Sequence, residues 1–354
     1  MKKFLFFAAI AAISLASCSN DETIAVNNSS GEVSFRPLLN KATRAADITD
    51  QASLESFNVY AFKTGETTPA YFENVNFADA GSGTYVSVAK YYWPTYNLDF
   101  YSWSAHSSNG DRTADVTASA FNNFTVTVQA DADNQADFVY ASKTDVAKTD
   151  AVTGLAFSHK ESRIVLKVKN TTANIRYDIV GWRIGFAAPS GTTADGGATW
   201  TPAAKAASNV FSATESKTVA ANTTTASAFS KAQIMIPQAI TPVTAYTGST
   251  AGDPVNGSYI AVKYKAQNTT NDEWVVGSAS ADSEIYGIWP IPAITWAPGK
   301  QYTYVIDLAQ GGYFDDNEDG TTAELDPIME SPIQFATVTV SDWDTSTADI
   351  DASY

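Results

Sequence analysis

Leu98-Asp99-Phe100-Tyr101-Ser102-Trp103-Ser104 places Phe100 and Ser102 on one face and Tyr101 and Trp103 on the other. A period of two is that of a β-strand, whose successive side chains point to opposite sides. Aromatic residues of this size usually fill sandwich cores. Working outward, the same alternation or a short apolar burst recurs at 33–38, 57–62, 85–92, 124–129, 138–142 and 163–169. It continues at 179–186, 232–236, 259–266, 302–308 and 333–340, with Gly, Pro, Asn, Asp and Thr clusters between. No stretch sustains a long helical period, and many short strands with frequent turn signals predict an all-β fold of the sandwich kind. Residues 189–228, rich in Ala, Thr, Ser and Gly, read mainly as long surface loops. A boundary fits the polar run 170–174, and the halves begin alike at 54–62 and 177–186, which predicts two similar sandwiches in tandem.

The chain has 354 residues, with 38 acidic against 22 basic side chains, 44% hydrophobic and only 17% charged residues. That length allows two domains. The net charge of −16 argues against nucleic acid, which requires a basic face. The one cysteine, Cys18, lies in an export signal, so the rest has no disulfide, thiolate nucleophile or cysteine ligand.

Residues 1–17 run from Lys2 and Lys3 through an apolar stretch, too short to span a bilayer, to Leu15-Ala16-Ser17-Cys18. Leu-Ala-Ser-Cys looks like a lipobox, after which Cys18 would carry acyl chains such as palmitate and hold the chain at a membrane surface. Asn20-Asp21-Glu22 resembles the acidic flag that sends some Gram-negative lipoproteins to the cell exterior.

Seven fragments in order give the chain a family likeness. They are Tyr91-Tyr92-Trp93-Pro94 with Leu98-Asp99-Phe100-Tyr101-Ser102-Trp103; Asp137-Phe138-Val139-Tyr140-Ala141; Leu155-Ala156-Phe157-Ser158-His159-Lys160-Glu161-Ser162-Arg163-Ile164; Met235-Ile236-Pro237-Gln238; Trp296-Ala297-Pro298-Gly299-Lys300-Gln301-Tyr302-Thr303-Tyr304; and Ile333-Gln334-Phe335-Ala336-Thr337-Val338-Thr339-Val340-Ser341-Asp342-Trp343. In this it resembles the fimbrillin family, subunits of the pili that Bacteroidales assemble from lipoprotein precursors. The resemblance implies two tandem transthyretin-like β-sandwiches, here 45–172 and 173–354, behind a signal peptide (1–17) and a lipidated propeptide (18–44). It also implies proteolysis at Arg44-Ala45 that removes a leading strand, and insertion of a C-terminal strand carrying Ile333, Phe335, Val338, Val340 and Trp343 into the next subunit. The implied partners are other subunits, head to tail, the outer membrane through the lipid before processing, and a host or bacterial surface ligand.

The residues have the parts for this. In Glu32-Val33-Ser34-Phe35-Arg36, Val33 and Phe35 share a face that could lie in a groove, and Arg44 stands in a small-residue loop of the kind proteases nick. Loss of that strand would leave an unpaired edge open to strand addition. At the other end, Phe335 and Val338 have opposite parity, which predicts a bulge or change of partner near 336–337.

Other chemistry is thin. Asp315, Asn317, Asp319 and Asp326 have calcium-loop spacing, but with Asp where the twelfth position normally has Glu and with strands rather than helices around the loop. An acidic surface turn is the alternative. His106 and His159 stand apart, and His159 reads as structural. No nucleophile, zinc or nucleotide signature is present, so the expectation is a structural subunit and not an enzyme. The alternative is a pilus-tip adhesin or a monomeric surface lipoprotein that binds glycan or host protein.

Overall fold

Alternation in the strand Leu98–Trp103 sends neighbouring rings into two different cores. Phe100 joins Phe35, Phe57, Phe77 and Phe157, whereas Trp103 joins Phe124, Phe138, Trp182 and Ile184. The computed structural model describes residues 31–39, 54–104, 116–243, 256–280, 283–310, 313–314, 326–327 and 335–343, whose regular elements are all β-strands apart from two short 3₁₀ turns.

The first core is wrapped by an eight-stranded sheet. Its order is Ser158–His159, Val139–Val146, Leu98–Trp103, Ser56–Lys63, Ala70–Asp79, Tyr85–Val86, Phe35–Leu38, Thr153–Ala156. Only Phe157 separates the two end strands in sequence, so the sheet curls round upon itself. The second core lies between two further sheets. One contains Thr223–Ala228, Ser162–Asn170, Lys300–Asp307 and Thr337–Asp342, with Gln233–Met235 beside Ser162–Asn170. The other runs Val210–Val219, Ile175–Gly185, Tyr259–Asn268, Ile285–Pro290, Tyr313–Phe314, Asp326–Pro327. Ile164, Leu166 and Val168 from the former meet Trp182, Ile184, Ile260 and Val262 from the latter.

Three sequence expectations need correction. Residues 189–228 are not loops: they form the strands Ser190–Ala194, Thr199–Pro202, Val210–Val219 and Thr223–Ala228. Their buried positions are few, with Phe211, Ala213 and Val219 carrying the inward face of Val210–Val219, so Thr and Ser obscure the alternation. Second, Ala70–Asp79 is a strand where no alternation marks one, because its buried rings, Phe72 and Phe77, are an odd number of residues apart. The pairing with Ser56–Lys63 shifts register there, and Asn74 sits at φ 49°, a left-handed conformation that resets the parity. Third, of the expected strand 85–92 only Tyr85–Val86 is regular.

Hydrogen bonding crosses the polar run 170–174. Ser162–Asn170, read as the last strand of the first half, pairs in parallel with Lys300–Asp307, and Asn123–Thr127 pairs with Ser190–Ala194. A parallel partner more than a hundred residues away leaves no local signal in the chain.

Several tyrosines are held inside these cores. The Tyr177 hydroxyl donates to the Leu308 carbonyl at 3.0 Å, and burial, with a smaller contribution from Asp307, pushes its pKa up to about 12. Burial raises Tyr140, Tyr264 and Tyr304 as well. A phenol raised above its unfolded value of about 10 stabilises the fold fully below that pH and loses the contribution as pH climbs through the folded value. Stability is therefore expected to fall steeply on the alkaline side, from about pH 10 towards 12, with the tyrosinate absorbance of these four buried rings rising only as the chain unfolds and that of exposed tyrosines such as Tyr92 rising before it. Tyrosines that all titrate in the folded protein near their ordinary value would contradict this.

Candidate functional site

Gly31 to Leu38 lies inside the first sheet, paired on both flanks. On one side the Val33 amide donates to Tyr91 at 2.7 Å, the Trp93 amide to Gly31 at 2.9 Å, and Phe35 faces Tyr85. On the other, Phe35, Arg36, Pro37 and Leu38 run parallel to Thr153, Gly154, Leu155 and Ala156. The ladder there is bounded by Thr153 N–H to Ser34 O and Phe157 N–H to Leu38 O, both 3.0 Å. An ion pair of 2.7 Å joins Lys90 Nζ to Glu32 Oε2 at the start of the segment.

The alternation expected of this segment holds at Val33 and Phe35, which are buried in the first core. Glu32 and Ser34 are buried too, because both flanks are covered. The Phe35 ring, with 0% exposure, stands edge-on to Phe77 at 4.8 Å, to Phe100 at 5.0 Å and to Phe57 at 6.1 Å. Leu38, 52% exposed, marks where the segment leaves the core.

The C-terminal strand Thr337–Asp342 is seated differently. It pairs antiparallel with Lys300–Asp307, from Lys300–Asp342 to Val305–Thr337, and among the described residues it has no partner on its other side. The chain bends at Ala336, whose amide donates to Val305 O at 2.8 Å. That bend lets Phe335, Val338 and Val340 all pack on the second core despite their parity. Phe335 is half-buried, its ring 5.0 Å from Tyr304.

Trp343 ends the strand in a buried site. Its indole, 2% exposed, stacks on the His159 imidazole at 4.1 Å with the planes 8° apart. His159 Nδ1 lies 2.7 Å from Asp137 Oδ2, and the Trp343 amide donates to Gly299 O at 2.9 Å. Buried Glu161 takes the Phe138 amide on Oε2 at 2.9 Å and the Gly299 amide on its carbonyl at 2.8 Å. Gly299 has φ 66°, and a Cβ there would come within 3.1 Å of His159 O. His159 is thus structural, as the sequence suggested. Its partners Asp137 and Trp343 were not visible as partners, because 22 and 184 residues separate them from it.

Several expected site residues fall outside the described residues: Cys18, Arg44, Ala45, Ile333, Asp315, Asn317 and Asp319. Asp326 belongs to the two-residue strand Asp326–Pro327, where it pairs with Phe314, so short strands close the acidic loop at both ends. Among the described residues no cluster of three or more His, Cys, Asp or Glu is placed to hold a metal. In the aromatic run, Trp93, Phe100 and Trp103 are core residues, and Tyr92 is exposed.

A model of the fimbrillin-like family matches residues 43–343. The chain belongs to that family. No curated protein matches it. It is similar in structure to a proposed cell adhesion protein from Bacteroides ovatus, at 16% identity and a TM-score of 0.47, over 88% of this chain and 97% of that one. Further similar structures come from Porphyromonas gingivalis. One is the tip fimbrial protein Mfa3 with a C-terminal truncation, at 12% identity and TM-score 0.39, over 88% and 100% of the two chains. The other is the fimbrillin FimA, at 11% identity and TM-score 0.37, over 88% and 97%.

Phe35→Ala empties the centre of an aromatic cluster and is expected to cost about 3–5 kcal/mol, the usual range for a buried ring, read as a lowered denaturation midpoint. Trp343→Ala removes the stacking partner of His159, so faster amide exchange is expected along Thr337–Asp342 and Lys300–Asp307, with the first sheet unchanged beyond its end strand Ser158–His159. Equal loosening of both sheets would contradict a local role for Trp343.

Proposed function

We propose that the chain is a structural subunit of cell-surface fimbriae, exported as a lipoprotein acylated at Cys18 and held at the outer membrane until it is cut after Arg44. The cut releases residues 31–38 with the anchor, and the groove they leave accepts the C-terminal strand of another subunit. Repetition gives a head-to-tail, open polymer, as heterologous contacts that do not close must.

One observation carries this reading: the leading strand is internal to its sheet, bonded on both flanks, with Phe35 at the centre of the core, yet it comes from a segment separate from the rest of its sheet. Its removal exposes two unpaired strand edges and an apolar slot, which only another strand can satisfy on both counts. Family membership agrees with it. The C-terminal strand, bonded on one side only among the described residues, is the available donor.

A second reading, a pilus-tip adhesin or a monomeric surface binder, draws on the seat of Trp343. A C-terminal strand closed on its own sheet by a buried indole is at home in a subunit that keeps it.

Trace trypsin on protein starting at Ser19, followed by N-terminal sequence and oligomer size, separates the two. A new terminus at Ala45 together with a ladder of oligomers, lost on deletion of 333–354, is the expected result. Cutting at Arg44 with a persistent monomer would favour the second reading, and no cutting there would remove the activation step.

A further inference from the structure

Resting on the strand-exchange reading above, we propose the register of insertion: residues 333–338 of a second copy replace 33–38 one for one, in the same direction, with Phe335 in the pocket of Phe35. The two segments share a pattern. Val33-Ser34-Phe35 and Ile333-Gln334-Phe335 are each a β-branched apolar residue, a polar residue and a phenylalanine.

The pocket discriminates among registers. Phe35 is ringed by Phe57, Phe77 and Phe100, so a donor must bring a ring or leave a void. From 333 to 354 the rings are Phe335, Trp343 and Tyr354. Trp343 in the pocket would overfill it and put Ser341 in the place of Val33, which is 1% exposed. Tyr354 would bury a hydroxyl among phenylalanine rings. Val338 would leave the pocket part empty. Phe335 alone matches the ring, and it brings Ile333 to the place of Val33.

The backbone agrees. In this register Ala336, Thr337 and Val338 face Gly154, Leu155 and Ala156, the partners of Arg36, Pro37 and Leu38. Phe335 moves from a half-buried site against Tyr304 on a one-sided edge strand to full burial between two flanks. The inserted strand thereby takes over the two-sided bonding of the leading strand, where among the described residues of the single chain Thr337–Asp342 is bonded on one side.

Disulfide trapping tests the register, because a cross-strand bridge needs Cβ atoms about 3.5–4.5 Å apart. A chain processed after Arg44 has lost Cys18 and has no other cysteine. Ala156→Cys is combined in the full chain with Val338→Cys, with Ala336→Cys or with Val340→Cys, and each chain is then processed and oxidised. A disulfide-linked ladder with Val338→Cys, lost with the other two, is expected. A ladder trapped by Ala336→Cys or Val340→Cys, or an assembly that none of the three traps, overturns the register and leaves strand exchange standing. Processed chain that stays monomeric removes strand exchange itself, and the register with it. Should Val338→Cys disturb folding, a synthetic peptide of residues 333–343 carrying it is added to processed Ala156→Cys chain. A disulfide adduct with this peptide, and none with the Val340→Cys peptide, supports the register, and the reverse refutes it.

Discussion

The packing of Phe35 against Phe57, Phe77 and Phe100 is the contact on which the first sheet depends. These rings come from three strands of the main sheet and one leading strand, and the sheet can curl closed only because that strand fills the gap between Tyr85–Val86 and Thr153–Ala156. A core usually draws its central side chains from strands that the chain cannot shed. Here one of the central rings is carried by a short segment that precedes the rest of its sheet, with Arg44 between, so under the proposed strand exchange the stability of this sheet and its capacity for assembly would reside in the same side chain.

The other end of the molecule is built with the opposite bias. Thr337–Asp342 is an edge strand, satisfied along one side, and its apolar side chains are half-buried rather than enclosed. Exposed strand edges invite pairing with other chains, and this one is restrained by Trp343 on His159, which Asp137 holds from below. Strength on one flank and a buried indole at the tip suit a strand that stays home until a better slot is offered. The conflict between the two readings of function is a matter of how strongly that indole holds.

Under the strand exchange proposed above, the slot of the leading strand at one end and the C-terminal strand at the other would be the complementary halves of a head-to-tail contact. The second core, with its parallel pairing of Ser162–Asn170 and Lys300–Asp307, ties both ends together: His159 precedes the first of these strands and Gly299 precedes the second, so the C-terminal strand is anchored on the chain that leads from one core into the other.

Period-two alternation settled the fold class from the residues alone, because burial on one face of a strand must repeat every second residue. It also placed Phe100 and Trp103 on opposite faces and singled out Val33 and Phe35 as an inward pair. Alternation failed at Ala70–Asp79, where a left-handed Asn74 breaks the parity, and in 189–228, where small hydroxyl residues line the strands. Neither the sheet partners nor the internal position of the leading strand could be read from sequence, since Phe35 finds Thr153 and His159 finds Trp343 only across long separations. An edge strand and a central strand can carry the same side chains; which of them has a neighbour on both sides is decided by tertiary structure.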